Sequence, residues 1–116
     1  MGKLYIIDTT DYWGRRVVFT KKKYTQKLII HPWLKKRQFM VCLEKTLEEP
    51  DQVWEDYNAP SEKHCYYRKY STGLYIKVVV WMNVRRSEPC HVVSAFETDY
   101  IKETKYPSLK VIYTKQ

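Results

Sequence analysis

The run Leu74-Tyr75-Ile76-Lys77-Val78-Val79-Val80-Trp81-Met82 constrains the chain most, because nothing else in it is so apolar over so many residues. Valine and isoleucine are stiff at χ1 and favour a pleated strand over a helix. Gly73 precedes the run and Asn83 follows it, so its length suits a strand. Ile76, Val78, Val80 and Met82 fall on one face; Tyr75, Lys77, Val79 and Trp81 fall on the other. The first face is wholly apolar and predicts a cover, a helix. The second has one charge, Lys77, among aromatics, and predicts a partly open front where function is to be sought.

A chain of 116 residues is expected to form one domain, spanning 1–116. Apolar residues make up 44% of it, with 11 tyrosines, which excludes a disordered segment. The net charge of +8 points to a polyanionic partner, most simply nucleic acid, or else to a solubilising surface. Cys42, Cys65 and Cys90 are odd in number and contain no C-x-x-C pair, so neither a zinc knuckle nor a disulfide framework is expected. A reducing, cytoplasmic setting fits them. The N-terminal apolar run, Leu4 to Ile7, is too short for a signal peptide, and no segment could span a membrane. His31, His64 and His91 lack metal-ligand spacing with the cysteines, and the isolated glycines form no phosphate loop, so no metal and no cofactor are expected.

Residues 3–8 and 15–20 read as two strands around a turn at Asp11–Gly14. Thr20 is a plausible N-cap for a first helix from Lys21 to about Ile30. Lys21-Lys22-Lys23 sit badly at the positive end of its dipole, which suggests either an anionic ligand nearby or a solvated run. Pro32 suits the first turn of a second helix reaching about Glu48, with Trp33, Met40, Leu43 and Leu47 as its apolar stripe, broadened by Leu34, Phe39 and Val41. Strands are expected at 52–56, 63–70, 74–82 and 90–98. A hairpin at Ser71–Gly73, a basic loop at 83–89 and a short helix at 99–104 fall between or after them. A last strand, 109–114, is a candidate to pair with the N-terminal one. The expected fold is α+β: two N-terminal helices packed on a four- to six-stranded, mainly antiparallel twisted sheet.

Several stretches taken together carry a family resemblance. The run Thr20-Lys21-Lys22-Lys23-Tyr24, followed by His31-Pro32-Trp33-Leu34, resembles the opening of the phage-associated nuclease domains grouped with barnase, EndoU, colicin tRNases and RelE, the BECR fold. Leu43 to Val53, with its Pro50-Asp51 turn, is similar to that family's helix end and following strand. Tyr66-Tyr67-Arg68-Lys69, Val78-Val79-Val80 and Val93-Ser94-Ala95-Phe96-Glu97-Thr98 complete the likeness, which covers about residues 17–105. In one departure, Gln26 stands where relatives often have a second histidine, five residues before the His-Pro. Glutamine hydrogen-bonds but does not titrate.

The resemblance implies metal-independent RNA cleavage, in which the ribose 2′-OH attacks the adjacent phosphate to leave a cyclic phosphate, in a toxin or a phage or mobile-element protein. Such a reaction needs a base, an acid and cations for the charge that builds on phosphate. His31, which the likeness includes, is the candidate base, or else a helix-junction residue capping backbone groups. Arg68 and Lys77, on adjacent strands, would form a cationic floor if both point forward; otherwise they are solvent-facing charges. Ser94 either bonds phosphate or pairs across the sheet. For nucleic-acid contacts the candidates are Lys23, Gln26, Arg85 and Arg86, with Tyr66, Tyr75 and Trp81 as stacking platforms or as packing. Two further readings stand beside cleavage: a non-catalytic RNA- or DNA-binding module, consistent with Gln26, and a protein-interaction domain for an acidic partner such as an antitoxin or immunity protein.

Overall fold

The computed structural model describes residues 4–85 and 87–116. The sequence orders its elements as strand β1 (Tyr5–Thr10), β2 (Arg16–Thr20), helix α1 (Lys21–Leu28), helix α2 (Arg37–Glu48), β3 (Gln52–Glu55), β4 (Lys63–Ser71), β5 (Leu74–Trp81), β6 (Cys90–Thr98) and β7 (Val111–Thr114). Short 3-10 turns lie at Pro32–Lys35 and Lys102–Lys105. All strands join one seven-stranded sheet in the order β1-β2-β6-β5-β4-β3-β7. Pairing is antiparallel except between β2 and β6.

The α+β expectation holds at that level, with corrections. The helices follow a β-hairpin rather than opening the fold, and the sheet is wider than four to six strands. The last strand pairs with β3, not with the N-terminal strand. The second helix starts at Arg37, because the 3-10 turn begun at Pro32 ends in extended backbone at Lys36. No helix among the described residues is long and apolar enough to cross a membrane.

Local chemistry explains where the helices begin and end. The Thr20 hydroxyl caps α1 by accepting the Lys23 N–H at 3.1 Å. At its far end the N–H groups of Ile30 and His31 converge on the Lys27 carbonyl, and Pro32 prevents continuation. α1 buries no residue completely, whereas α2 buries Phe39, Leu43, Thr46 and Leu47. The buried Thr46 hydroxyl donates to the Cys42 carbonyl at 2.7 Å, so it leaves no unsatisfied group in the core. Val41, expected on this stripe, is exposed.

The apolar face of β5, Ile76, Val78 and Val80, packs on α2 and on Leu34 within the main core. The sheet curls around that helix. Tyr12, just beyond β1, and Tyr113, on β7, come from the two outermost strands, yet their rings lie 4.5 Å apart.

The other face of β5 is not open as expected. The segment after β6 folds back over it. Cys65, Tyr67 and Val79 form a second buried cluster there with Trp54, Tyr75, Val93 and Ile101. Glu103, 0% exposed, reaches down from this segment to Lys77, 7% exposed, at 2.9 Å. The same carboxylate accepts the Tyr67 hydroxyl hydrogen. Tyr106 of the segment stacks on Tyr57 at 4.1 Å.

Burial raises the Glu103 carboxyl, but the Tyr67 hydroxyl and the Lys77 ammonium more than offset this, so it ends below its ordinary value. Its contribution to stability is therefore present above about pH 4.5 and lost as pH falls through the lowered folded value. Removing one partner of a buried pair strands the other charge. Lys77→Met should cost about 3–5 kcal/mol in urea unfolding at neutral pH. Adding Glu103→Gln to the same chain should restore about half of that or more, because the amide still accepts from Tyr67.

Candidate functional site

The candidate site lies along the edge of β6. β2 pairs with β6 only at Val17–Cys90 and Val18–His91, then leaves the sheet to become α1. The rest of that edge of β6 needs other partners. Trp33 supplies one: its indole N–H donates to the Ala95 carbonyl at 3.0 Å. The turn that begins at Pro32 thus brings His31 beside β6. The His31 ring lies 4.7 Å from Trp33 and 6.3 Å from Phe96, tilted to both. Trp33, Lys36, Phe96 and Glu97 line a cleft of about 320 Å³ next to it. Desolvation first, and then the Lys27 cation, lower the His31 pKa below the reference value of 6.5. His31 Nδ1 is buried without a hydrogen-bond partner.

Lys77 and Ser94 approach the same place from the sheet. Lys77 is in register with Phe96, and its ammonium lies 5.7 Å from that ring. Ser94 is two residues from Phe96 on the same face and pairs with Val79. His31, Lys77 and Ser94 therefore surround Phe96. Lys77, however, is held by Glu103 rather than open to solvent.

Arg68 does not join them. An uninterrupted hairpin through Ser71↔Leu74 would set Arg68 opposite Lys77. A bulge between Lys69 and Ser71 shifts the register by one residue and pairs Tyr67 with Lys77 and Arg68 with Ile76. A one-residue shift moves a side chain to the other face. Arg68 thus lies on the helix side, where its Nε donates to the Glu49 carbonyl at 3.2 Å. The expected floor of Arg68 and Lys77 is not formed.

Tyr66 is likewise on the helix side. It is 0% exposed, and its hydroxyl donates to Asp11 at 2.6 Å, so it is packing and not a stacking platform. Burial, with Asp11 next, pushes its phenol far up. Tyr75 is half-buried on the front and meets Tyr67 edge-on. Trp81 is exposed beside His91. Lys23 is partly exposed and Gln26 exposed on α1; Arg85 is exposed in the basic loop. Arg86 lies outside the described residues. His64 is on the helix side; burial, and then Arg15, hold its pKa down.

The sequence reading missed Trp33, taken as helix core, and also Lys36, Phe96, Glu97 and Glu103. Its only usable hint was an aromatic residue directly after His-Pro. Among the described residues, Asp56, Cys65 and Glu103 bring ligand-type atoms within 4.8 Å of one another. These donors are already occupied: the Cys65 thiol donates to Asp56 at 3.2 Å, and Glu103 holds Lys77. Burial pushes that thiol far up, so it is no ready thiolate.

No family model, curated protein or solved structure matches the chain.

If packing against Trp33 is what desolvates His31, Trp33→Ala should raise the His31 pKa toward 6.5 in an NMR titration. An unchanged midpoint would mean that neighbours other than Trp33 bury the ring.

Proposed function

We propose that the protein binds single-stranded RNA along the α1 side of β6 and cleaves it there without a metal, in the manner of the BECR-type nucleases it resembles. The observation that carries this reading is the gathering of His31, Lys77 and Ser94 around Phe96, next to a stretch of chain whose charges are all positive, with Glu97 the acid in the cleft lining. From Tyr12 to Leu43 there are nine Lys or Arg residues and no Asp or Glu. Arg15 and Arg16 pair with Asp11 and Asp8, while none of Lys21, Lys22, Lys23, Lys27, Lys35, Lys36 and Arg37 is in an ion pair among the described residues. A strand of phosphates is the simplest ligand for such a field.

In this reading His31 takes the proton of the ribose 2′-OH as its oxygen bonds to phosphorus, the P–O5′ bond breaks, and a solvent water protonates the departing 5′-oxygen. A histidine held below its ordinary pKa is neutral at pH 7 and ready to accept a proton. The Ser94 hydroxyl donates to a phosphoryl oxygen, and Lys36 and Lys27 balance the developing charge. Lys77, paired with Glu103, fixes the lid behind Phe96 and does not itself meet phosphate. A nucleobase stacks in the cleft of Trp33 and Phe96.

A second reading, RNA binding without cleavage, is favoured by Gln26 and by the Lys77–Glu103 pair, which takes the most buried cation out of reach of substrate.

Incubation with single-stranded RNA in EDTA separates the two. Cleavage should leave 2′,3′-cyclic phosphate and 5′-OH ends, vanish in His31→Ala, and rise with pH through a midpoint below 6.5. Intact RNA that is nevertheless bound in a salt-dependent way supports the second reading. Absence of both binding and cleavage defeats both. The cations should also be countable: changing Lys35, Lys36 and Arg37 to Gln should make the slope of log K against log salt shallower by about 2.

A further inference from the structure

The turn between β1 and β2 holds an exposed tryptophan more firmly than packing requires. Trp13 is 62% exposed. Beneath it, one Asp11 carboxylate oxygen accepts the backbone N–H groups of Trp13 and Arg15, each at 2.9 Å. The other accepts Arg15 Nε at 3.1 Å and the buried Tyr66 hydroxyl at 2.6 Å. The Asp11 N–H donates to the Arg15 carbonyl at 2.8 Å, and Gly14 closes the turn at φ +87°, a conformation that favours glycine. The Arg15 guanidinium lies 5.8 Å from the Trp13 ring centre. The indole is thus presented to solvent by a turn with little freedom left.

The loop between β5 and β6 faces it. There the Asn83 side-chain oxygen Oδ1 accepts the Arg85 backbone N–H at 3.0 Å, and the Asn83 side-chain Nδ2 donates to Glu88 at 3.1 Å. Between turn and loop lies a cleft of about 310 Å³ lined by Trp13, Arg15, Arg16, Asn83, Arg85 and Glu88, among others. Arg15 is committed to Asp11. Arg16 holds Asp8 through two bonds, Nε to Oδ1 at 2.9 Å and a terminal nitrogen to Oδ2 at 2.7 Å, and Arg85 meets Glu88 only at 4.0 Å; both pairs are exposed. Arg85 is thus weakly held and open to an anion, while Arg16 keeps N–H donors beyond the two that Asp8 engages.

We propose that this cleft binds one nucleotide unit, its base stacked on Trp13 and its phosphate between Arg16 and Arg85. The six-residue step along β6 from Cys90, in this cleft, to Phe96, in the other, sets the two roughly 20 Å apart at strand rise. The ligand is either part of an RNA strand also held at the His31 edge, a case that rests on the function proposed above, or a free mononucleotide, which does not need it.

The test follows the Trp13 indole N–H in 1H–15N spectra of the full chain, identified with Trp13→Phe, during titration with 5′-AMP and with an octaribonucleotide. The octamer should move that signal, and Trp13→Ala and Arg85→Gln should each weaken its binding by about tenfold, the scale of one stacked base. A shift with AMP while the octamer does not bind would make the cleft a mononucleotide site and remove the RNA reading of the His31 edge. A shift with the octamer alone would assign the cleft to RNA. Octamer binding at full affinity in both variants, with the Trp13 signal unmoved by either ligand, would overturn the cleft proposal and leave the RNA reading intact. A chain that responds to neither ligand would overturn both.

Discussion

A strand buried on both sides needs two covers, and the structure follows from how β5 obtains them. One face is purely aliphatic and is met by the buried stripe of α2, Phe39, Leu43, Thr46 and Leu47. The other contains a lysine, and an apolar lid over an unpaired ammonium would be costly. The chain meets this constraint with Glu103, delivered by a segment whose other anchors are Ile101 and the Tyr106–Tyr57 stack. Lys77 thereby selects its own lid: a segment of similar hydrophobicity but lacking the carboxylate would leave the charge stranded. The front of the sheet is closed by a charge pair, while the back is closed by volume.

These two kinds of closure also account for what the sequence disclosed. The faces of β5, the limits of β6 and the Thr20 cap all depend on near neighbours, and alternation or capping chemistry exposes them directly. The lid depends on a contact between residues 26 positions apart, which no local pattern encodes. Arg68 failed for a subtler reason. The faces of β5 were read correctly, but the relation of β4 to them depends on the bulge between Lys69 and Ser71. One extra residue decides whether the two cations share a surface. Trp33 failed because Pro32, a good first-turn residue, starts a 3-10 turn here instead of α2. That frees the indole to bond the edge of β6.

The edge is where fold and proposed activity meet. β2 leaves β6 after two residue pairs because the chain turns into α1, and unpaired strand carbonyls are a liability. Satisfying one of them with Trp33 carries His31 along and fixes its ring between two aromatic neighbours. The same arrangement that repairs the edge desolvates the imidazole. Burial at that edge, with the Lys27 cation next, holds the His31 pKa below its ordinary value, so edge protection and a neutral imidazole come from the same stretch of chain.

Charge distribution bears on which surface the proposed activity would use. The net charge of the whole chain is +8, and it is concentrated in the stretch from Tyr12 to Leu43; the remainder has 12 cations against 13 acids. A merely solubilising charge would be scattered, because solubility depends on its sum and not on its position. Here the excess of cations is concentrated in the turn, α1 and the approach to α2, and the last of these reaches the edge of β6 through His31 and Trp33. Lys77 belongs to the balanced remainder and is neutralised within it. The two populations have separate duties: the buried pair holds the lid, and the unpaired lysines supply the field. Under the proposed reading, a ligand drawn by that field meets His31 and Trp33 at the edge of β6 before it meets the covered front of the sheet.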